Sequence, residues 1–212
     1  MTVLAVTGVS HAYGDGIERV LVLDDVTMQV GTGEVVCVAG PSGSGKSSLC
    51  HLAAGFELPD AGAVTVNGVP PSTLDDWAVV AALPQQHGLL GELTVLQNVT
   101  LPAVRGGHDT DHVDELLAAL DLDLLADRTA GETSLGEQQR TALARVMMLS
   151  PRLAVLDEPT GHQDDDHVEQ VLTAVRRAAA AGTGVLVASH DERVLDAADR
   201  VIRLDRGRVT PP

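Results

Sequence analysis

Short apolar runs without alternation recur along the chain, each followed by a polar or glycine-rich segment. Residues 35–39, 153–156 and 184–188 are three such runs, built almost entirely from Val, Leu and Ala. Runs of this length are typical of parallel strands that are buried on both faces. Between them, segments such as 113–125 place apolar residues three and four positions apart, which predicts helices. The two alternating patterns predict an α/β fold with a doubly wound parallel sheet.

The first third of the chain has a different pattern, rich in strand-forming residues and turn residues. Further strands are predicted at residues 3–6, 21–30, 63–66 and 79–83, and turns at Gly14-Asp15-Gly16, Gly31-Thr32-Gly33 and residues 60–62. The predicted helices are at residues 48–54, 93–104, 113–125, 134–149, 167–181 and 194–198, before a hairpin at 200–209. A β-rich start is therefore followed by a helical middle and a mixed C-terminal part.

A glycine-rich segment joins the first buried run to the first predicted helix. It matches the phosphate-binding pattern G-x-x-x-x-G-K-[ST] with Gly40, Pro41, Ser42, Gly43, Ser44, Gly45, Lys46, Ser47 and Ser48. Glycines let successive backbone N–H groups face phosphate oxygens, and the following helix directs its N-terminus at the anion. The Lys46 ammonium is expected to reach the β- and γ-phosphates, and the Ser47 hydroxyl to coordinate Mg²⁺.

The basic residues of the chain support this interpretation. Lys46 is the only lysine, and all thirteen other basic residues are arginines. An ammonium is a compact charge on a flexible stem, whereas a planar guanidinium would fit a phosphate loop poorly. The segment is therefore predicted to bind nucleotide.

Polar residues follow three other predicted strands. Asp157 and Glu158 end one buried run, Gln85 follows residues 79–83, and His190 follows residues 184–188. Since parallel strands end at one edge of a sheet, the acidic pair should lie beside the phosphate loop. Asp157 could then hold Mg²⁺ through water, and Glu158 could orient or deprotonate a water molecule. On the residues alone, the pair could also cap a helix, Gln85 could be an ordinary loop residue, and His190 could be structural.

Two further features also have two interpretations. Ser134 and Glu137 have the spacing of a capping box, in which hydroxyl and carboxylate satisfy backbone N–H groups at a helix start. The same helix start could instead hold an anion. Tyr13, the only tyrosine, precedes a glycine turn and is either a flat support for adenine or an ordinary strand-end aromatic.

Composition narrows the possible partners. The formal net charge of −16 argues against a nucleic-acid partner and against docking on anionic lipid. No run approaches eighteen apolar residues and no basic, then apolar, leader begins the chain, so direct membrane insertion is not expected. Cys37 and Cys50 are expected to be small core residues. A cytoplasmic location follows, with any membrane role exerted through a partner.

Taken in order, these motifs resemble the ATP-binding cassette (ABC) ATPase family across essentially the whole chain. The resemblance implies a P-loop NTPase (RecA-like) parallel-sheet core with an N-terminal antiparallel β subdomain and an inserted α-helical subdomain. Residues 1–212 would form one ABC ATPase domain. About 1–85 and 150–212 would form the β subdomain and nucleotide-binding core, and about 86–149 the helical subdomain.

The resemblance also implies residue roles. Tyr13 would stack on adenine, Gln85 would sense Mg²⁺ and the γ-phosphate, and Asp157 would help to hold the metal. Glu158 would be the catalytic base, assisted by Lys46 and by His190 at the γ-phosphate. Further ATP contacts would come from the signature residues and the loop that crosses a dimer interface, namely Ser134, Gly136, Glu137 and Asp164.

The partners implied are a second ATP-binding cassette, as homodimer or heterodimer, and membrane permease subunits at the inner face of the cell membrane. The stretches at residues 157–161 and 93–102 are most similar to a branch of lipoprotein-releasing, macrolide-exporting and cell-division cassettes. That branch implies an export-type transporter, with ATP and Mg²⁺ as cofactors. A mechanical regulator of a membrane protein that controls an extracellular hydrolase is the alternative.

The signature departs from the family pattern Leu-Ser-Gly-Gly-Gln, because Leu135 occupies the position of a glycine. A side chain directed inward would weaken contact with ATP, whereas one directed away would cost little. A weakly hydrolysing half of a heterodimer is therefore a further alternative. A GTPase is disfavoured because its guanine motif needs a second lysine, and a small-molecule kinase has no need for the signature helix or the Glu158–His190 pair.

Overall fold

The computed structural model describes residues 1–14 and 16–210. Asp15, part of a predicted turn, and the last two residues of the predicted domain, Pro211 and Pro212, lie outside the described residues. The strands within them are β1 (Thr2–Tyr13), β2 (Val20–Gly31), β3 (Val35–Ala39), β4 (Ala61–Val66), β5 (Val80–Leu83), β6 (Leu153–Asp157), β7 (Gly184–Ala188), β8 (Arg200–Asp205) and β9 (Arg208–Thr210). The α-helices are α1 (Lys46–Ala54), α2 (Val95–Gly106), α3 (Val113–Ala119), α4 (Leu135–Met147), α5 (Asp165–Ala180) and α6 (Glu192–Ala197).

The strands form two sheets. An antiparallel sheet has the order β2-β1-β4, and a larger sheet has the order β5-β6-β7-β3-β8-β9. In the larger sheet β5, β6, β7, β3 and β8 are parallel, and β9 joins the edge antiparallel to β8. The predicted α/β class, with an N-terminal antiparallel sheet beside a largely parallel one, is thus confirmed.

The central strands are buried on both faces, which explains their continuous apolar sequences. Every residue of β3, β6 and β7 is buried. Val36 and Val38 pack toward α1 and the antiparallel sheet, whereas Val35 and Cys37 pack toward the helices α2 to α6. Because successive side chains point to opposite faces, one short strand supplies both cores. None of the described helices is long and apolar enough to cross a membrane.

Several predicted boundaries are wrong, and the largest difference is in β1, which runs to Tyr13 rather than ending at residue 6. Strand β4 begins at Ala61, within the predicted turn at 60–62, because β1 provides ladder partners through Ser10. Helix α3 ends at Ala119 rather than continuing to residue 125, and Asp121 follows with a left-handed φ of 53°. Helix α5 begins at Asp165, not at residue 167, because the Asp164 side chain caps it by accepting from the His167 N–H.

The sheet order brings four loop segments to one edge. The carboxyl ends of β5, β6, β7 and β3 lead into Gln85, Glu158, His190 and the phosphate loop, respectively. In a parallel sheet such ends share one side, which is where ligands bind in doubly wound folds. The separation of residues 86–149 as an inserted subdomain stays a prediction, although α2 and α4 do pack on each other and α4 also packs on β5.

Candidate nucleotide site

The phosphate loop needs glycine for two different physical reasons. A Cβ on Gly40 would overlap the carbonyl oxygen of Leu204, so the backbone passes too close for any side chain. Gly45 has φ 104°, and a Cβ there would lie 2.5 Å from the Val22 oxygen. Left-handed backbone and close approach both favour glycine. The segment is therefore wound tightly enough for its N–H groups to face one point.

Lys46 begins helix α1 and folds back over the loop. Its Nζ donates to the carbonyl oxygens of Gly40, at 2.8 Å, and Pro41, at 3.2 Å. Gly45 provides no side-chain cap for α1, so the first N–H groups of the helix are not satisfied by a capping side chain. Unsatisfied N–H groups at a helix start favour an anion. The ammonium and helix start together form an electropositive end to the cleft.

A buried carboxylate lies beside Ser47. Asp157 is buried, and neither carboxylate oxygen has a hydrogen-bond partner among residues 1–14 and 16–210. Burial raises the pKa of Asp157, nearby Glu158 raises it further, and the adjacent Ser47 hydroxyl and Lys46 ammonium oppose the rise. A buried carboxylate without a partner is costly unless it meets a cation. The residues present therefore fit a Mg²⁺ site.

Glu158 is held by two side chains from the loop after β7. The Ser189 hydroxyl donates to Oε2 at 3.2 Å, and His190 Nδ1 donates to Oε1 at 2.9 Å. The Glu158 backbone is left-handed, with φ 52°. A non-glycine residue in this region is strained, and such strain is common at active sites. These two hydrogen bonds fix the direction of the carboxylate.

These groups surround one cleft of about 640 Å³. The predicted site residues that line it are Gly40, Pro41, Ser42, Gly43, Gly45, Lys46, Ser47, Ser48, Gln85, Glu158 and His190. Asp157 and Ser44 do not line it, because both are buried, Asp157 beside Ser47 and Ser44 within the loop. The arrangement can bind a phosphate chain at one end and present a carboxylate and an imidazole at the other.

Four of the remaining predicted contacts lie in a different cleft. Ser134, Gly136, Glu137 and Asp164 line it together with Leu135. The predicted capping box is present, since the Glu137 N–H donates to Ser134 Oγ at 3.3 Å and the Ser134 N–H donates to Glu137 Oε2 at 2.7 Å. His162, on the loop before α5, lines both clefts. The two clefts are therefore neighbours on one surface without being one site.

Comparison with known protein families agrees with the resemblance seen in the motifs. Residues 23–161, more than half of the chain, match the ABC transporter family. The chain belongs to the ABC transporter family.

Two curated relatives of this ABC chain carry transporter names. It is 35% identical over 213 residues to the lipoprotein-releasing system ATP-binding protein LolD of Nitrobacter winogradskyi, covering 95% of this chain and 92% of that protein. It is 34% identical over 222 residues to the macrolide export ATP-binding/permease protein MacB of Salmonella choleraesuis, covering 99% of this chain and 34% of MacB. The chain thus spans about a third of the length of MacB.

Solved cassettes match the whole fold. The dimeric structure of MJ0796, a bacterial ABC transporter cassette, has a TM-score of 0.90 at 28% identity and covers 98% of this chain and 97% of that one. A dimeric post-hydrolysis state of the same cassette, bound to ADP and Pi, has a TM-score of 0.88. The predicted family and enzyme class are confirmed, and this ABC chain is an ATPase.

One predicted contact of the ABC cassette lies outside both clefts. Tyr13, 41% exposed, donates its hydroxyl to Glu57 Oε2 at 2.7 Å, and its ring meets the edge of His11 with 4.9 Å between ring centroids. Burial, followed by the nearby Glu57 carboxylate, raises the pKa of Tyr13, which the Ser48 side chain partly offsets. Ser48 lies in the first turn of α1 and lines the cleft, so Tyr13 is close to the cleft. Its contact with adenine stays a prediction.

Several residues that join the motifs of the ABC cassette were not predicted. Ser189 orients Glu158, and the Gln139 side-chain amide donates to the Glu158 backbone carbonyl. Gln163 accepts from Arg140 at 2.8 Å and donates to the Gly136 carbonyl at 2.9 Å. The sequence could have indicated a role for Ser189, because its hydroxyl directly precedes the predicted site residue His190. The glutamines carry no such signal, since their partners lie about twenty or more positions away.

Proposed function

We propose that this chain is the ATP-hydrolysing subunit of an export-type ABC transporter that closes head to tail with a second cassette. The observation that carries the proposal is the division of the predicted nucleotide contacts between two neighbouring clefts. In one chain, the first cleft contains the phosphate loop but none of the signature residues. The neighbouring cleft contains the signature residues but no part of the phosphate loop. Two copies related by a two-fold axis would each complete the other's site.

The phosphate end of the cleft is proposed to bind ATP through the loop N–H groups and Lys46. Lys46 would exchange its bonds to the loop carbonyls for the β- and γ-phosphates, because charged acceptors are stronger than carbonyls. Asp157, Ser47 and Gln85 would hold the Mg²⁺ that accompanies ATP. When bound, the metal ion would neutralise charge on the phosphate oxygens.

Hydrolysis is proposed to depend on Glu158 and His190. Glu158 would orient the attacking water and accept its proton, because its carboxylate lines the cleft and is held by two hydrogen bonds. His190 is 80% exposed at its side chain, so its Nε2 could meet a γ-phosphate while Nδ1 keeps its hydrogen bond to Glu158. The catalytic contribution is then positioning and charge stabilisation, as for other phosphoryl transfers.

The signature face is proposed to close on the partner's ATP. Ser134, Gly136, Glu137 and Asp164 would contact that nucleotide across the interface. Leu135 is the first residue of α4 and 56% exposed, so its side chain stands on the surface that the partner would approach. Tyr13 is proposed to support the adenine ring beside Ser48.

The transporter role rests on the relatives. LolD is named as part of a lipoprotein-releasing system and MacB as a macrolide export protein with a permease part. By analogy, this cassette is proposed to lie on the inner face of the cell membrane, attached to separate permease subunits. In the alternative function, the same cassette would act as a mechanical regulator of a membrane protein, and no substrate would be transported.

Complementation between two inactive variants tests the composite site. Lys46→Ala should abolish nucleotide binding at a cassette's own loop, and Ser134→Arg should obstruct the site that it offers to its partner. In an equimolar mixture, half of the dimers carry one intact site of two, so about a quarter of the wild-type ATPase rate should return. Activity no greater than the two variants give separately would contradict head-to-tail pairing of independent sites.

A second experiment tests the catalytic assignment and identifies the partner. Glu158→Gln should still bind ATP but not turn it over, and substantial residual hydrolysis would contradict its role as base. The ATP-trapped variant is then purified from detergent-solubilised membranes. Recovery of a multi-span permease supports the transporter, whereas a membrane protein recovered with a cell-wall hydrolase favours the mechanical regulator.

A further inference from the structure

Arg145 is a buried cation on the signature helix without an acidic partner. It lies near the end of α4, and no carboxylate is within ion-pair distance among residues 1–14 and 16–210. Its Nη1 instead donates to the carbonyl oxygen of Gly88 at 2.8 Å, and its Nη2 to that of His87 at 2.7 Å. Both acceptors belong to the loop after β5, which also carries Gln85.

Burying the Arg145 guanidinium costs free energy, and the hydrogen bonds that offset this cost also restrain the loop. Burial lowers the pKa of Arg145, which reflects the penalty of removing a guanidinium from water. Such a penalty is tolerated when hydrogen bonds satisfy the cation. Here the two bonds are short, charge-assisted and made to consecutive carbonyls, so they fix both position and direction of the loop. Gly88 is left-handed, with φ 59°, and a Cβ there would lie 3.7 Å from Arg145 Nη2.

The same guanidinium lies near Trp77. Its central carbon is 6.0 Å from the ring centroid, at the outer limit of a cation–π contact. Trp77 is 46% exposed and lines a separate cleft of about 410 Å³ with residues of α2, among them Leu101 and Arg105. It is the only tryptophan in the chain. Its emission therefore reports on this one place.

We propose that Arg145 is a positioning residue for Gln85, tying the loop that carries Gln85 to the signature helix and to Trp77. Nucleotide that moves Gln85 would move His87 and Gly88, and through Arg145 would change the surroundings of the indole. The inference rests on the proposed role of Gln85 at the γ-phosphate and Mg²⁺. It adds a link that none of the nucleotide motifs contains, because Arg145 lines neither nucleotide cleft.

Tryptophan emission of the full chain tests the link. In a Glu158→Gln background, addition of Mg·ATP should shift the emission, while equilibrium dialysis measures ATP binding independently. Adding Arg145→Met should remove the shift and leave binding within about threefold, because the loop is no longer tied to the helix. Arg105→Met is the matched control: it removes an exposed cation from the Trp77 cleft without touching the loop, and should keep the shift.

A shift that persists in Arg145→Met, or no shift in the parent despite bound ATP, would overturn the inference. Loss of ATP binding by the parent would instead refute the proposed function. Arg145→Lys covers failure of the Met variant to fold, since it keeps the cation but has a single donor nitrogen in place of the two that Arg145 uses. In the otherwise wild-type chain it should lower kcat about tenfold with KM for ATP little changed, and an unchanged kcat would count against the positioning role.

Discussion

Ser189→Ala tests whether the direction of the Glu158 carboxylate limits ATP hydrolysis. Ser189 is completely buried, and its hydroxyl donates to Glu158 Oε2 at 3.2 Å while it accepts from the Asp191 N–H at 3.1 Å. The substitution removes only this hydroxyl. Glu158 would keep its bond to His190 and would be free to rotate about it.

The expected magnitude follows from the bond that is lost. A hydrogen bond to a charged group contributes about 1.5–3 kcal/mol, and each 1.4 kcal/mol corresponds to about tenfold in rate. Because the 2.9 Å bond from His190 remains, we expect the lower end of this range. The kcat for ATP should therefore fall about tenfold. KM should change little, since Ser189 does not line the cleft.

Steady-state ATP hydrolysis by the assembled complex is the assay. Ser189→Thr restores a hydroxyl and should recover most of the rate. Thr141→Val removes another fully buried hydroxyl, which donates to the Glu137 carbonyl within α4. Both Ser189→Ala and Thr141→Val should lower the free energy of unfolding by about 1 kcal/mol. A kcat of Ser189→Ala within about twofold of wild type would refute the argument.

Three further predictions follow from the signature and the core. The hydrogen bond from the Ser134 N–H lowers the pKa of Glu137, so the charged carboxylate stabilises the fold above the unfolded-state pKa of about 4.3, and this contribution disappears as pH falls through the lower folded value. In urea unfolding, the wild-type chain should be more stable than Glu137→Gln at pH 7 and lose this advantage below the folded pKa of Glu137, and a difference that does not change with pH would contradict the prediction. Leu135→Gly should raise the ATPase rate of the assembled complex, and an unchanged or lower rate would exclude the steric interpretation. Burial raises the pKa of Cys37 to about 11 and that of Cys50 well above its usual value, so both thiols should resist alkylation at pH 8 until the protein is unfolded, and labelling of the native chain would contradict this.

Much of the fold follows from local sequence because its signals are local. The apolar runs of β3, β6 and β7 are buried on both faces, as predicted. The turn predicted at residues 60–62 failed because a turn-forming composition was overridden by pairing with β1, more than fifty residues earlier. Pairing of that kind depends on the whole sheet, so a local pattern cannot report it.

The residues of the candidate site also fall into those that a local sequence pattern reveals and those that only tertiary contacts reveal. The phosphate loop and the residues that end parallel strands could be found because chemistry and spacing lie in short segments. Ser189, Gln139 and Arg145 act on groups tens of residues away or across a sheet edge. Hydroxyl, amide and guanidinium groups occur throughout any chain, so only contact reveals which of them position a site.

By itself, the sequence determined that the chain binds a nucleotide phosphate and which family's motifs surround it, because glycine geometry and one lysine are properties of a single segment. Only the tertiary structure decided how those motifs are grouped. Lys46 and Glu158 share one cleft, whereas Ser134 and Asp164 line another. The grouping is set by strand order and by the packing of α4 against the sheet, which arise from contacts between distant segments.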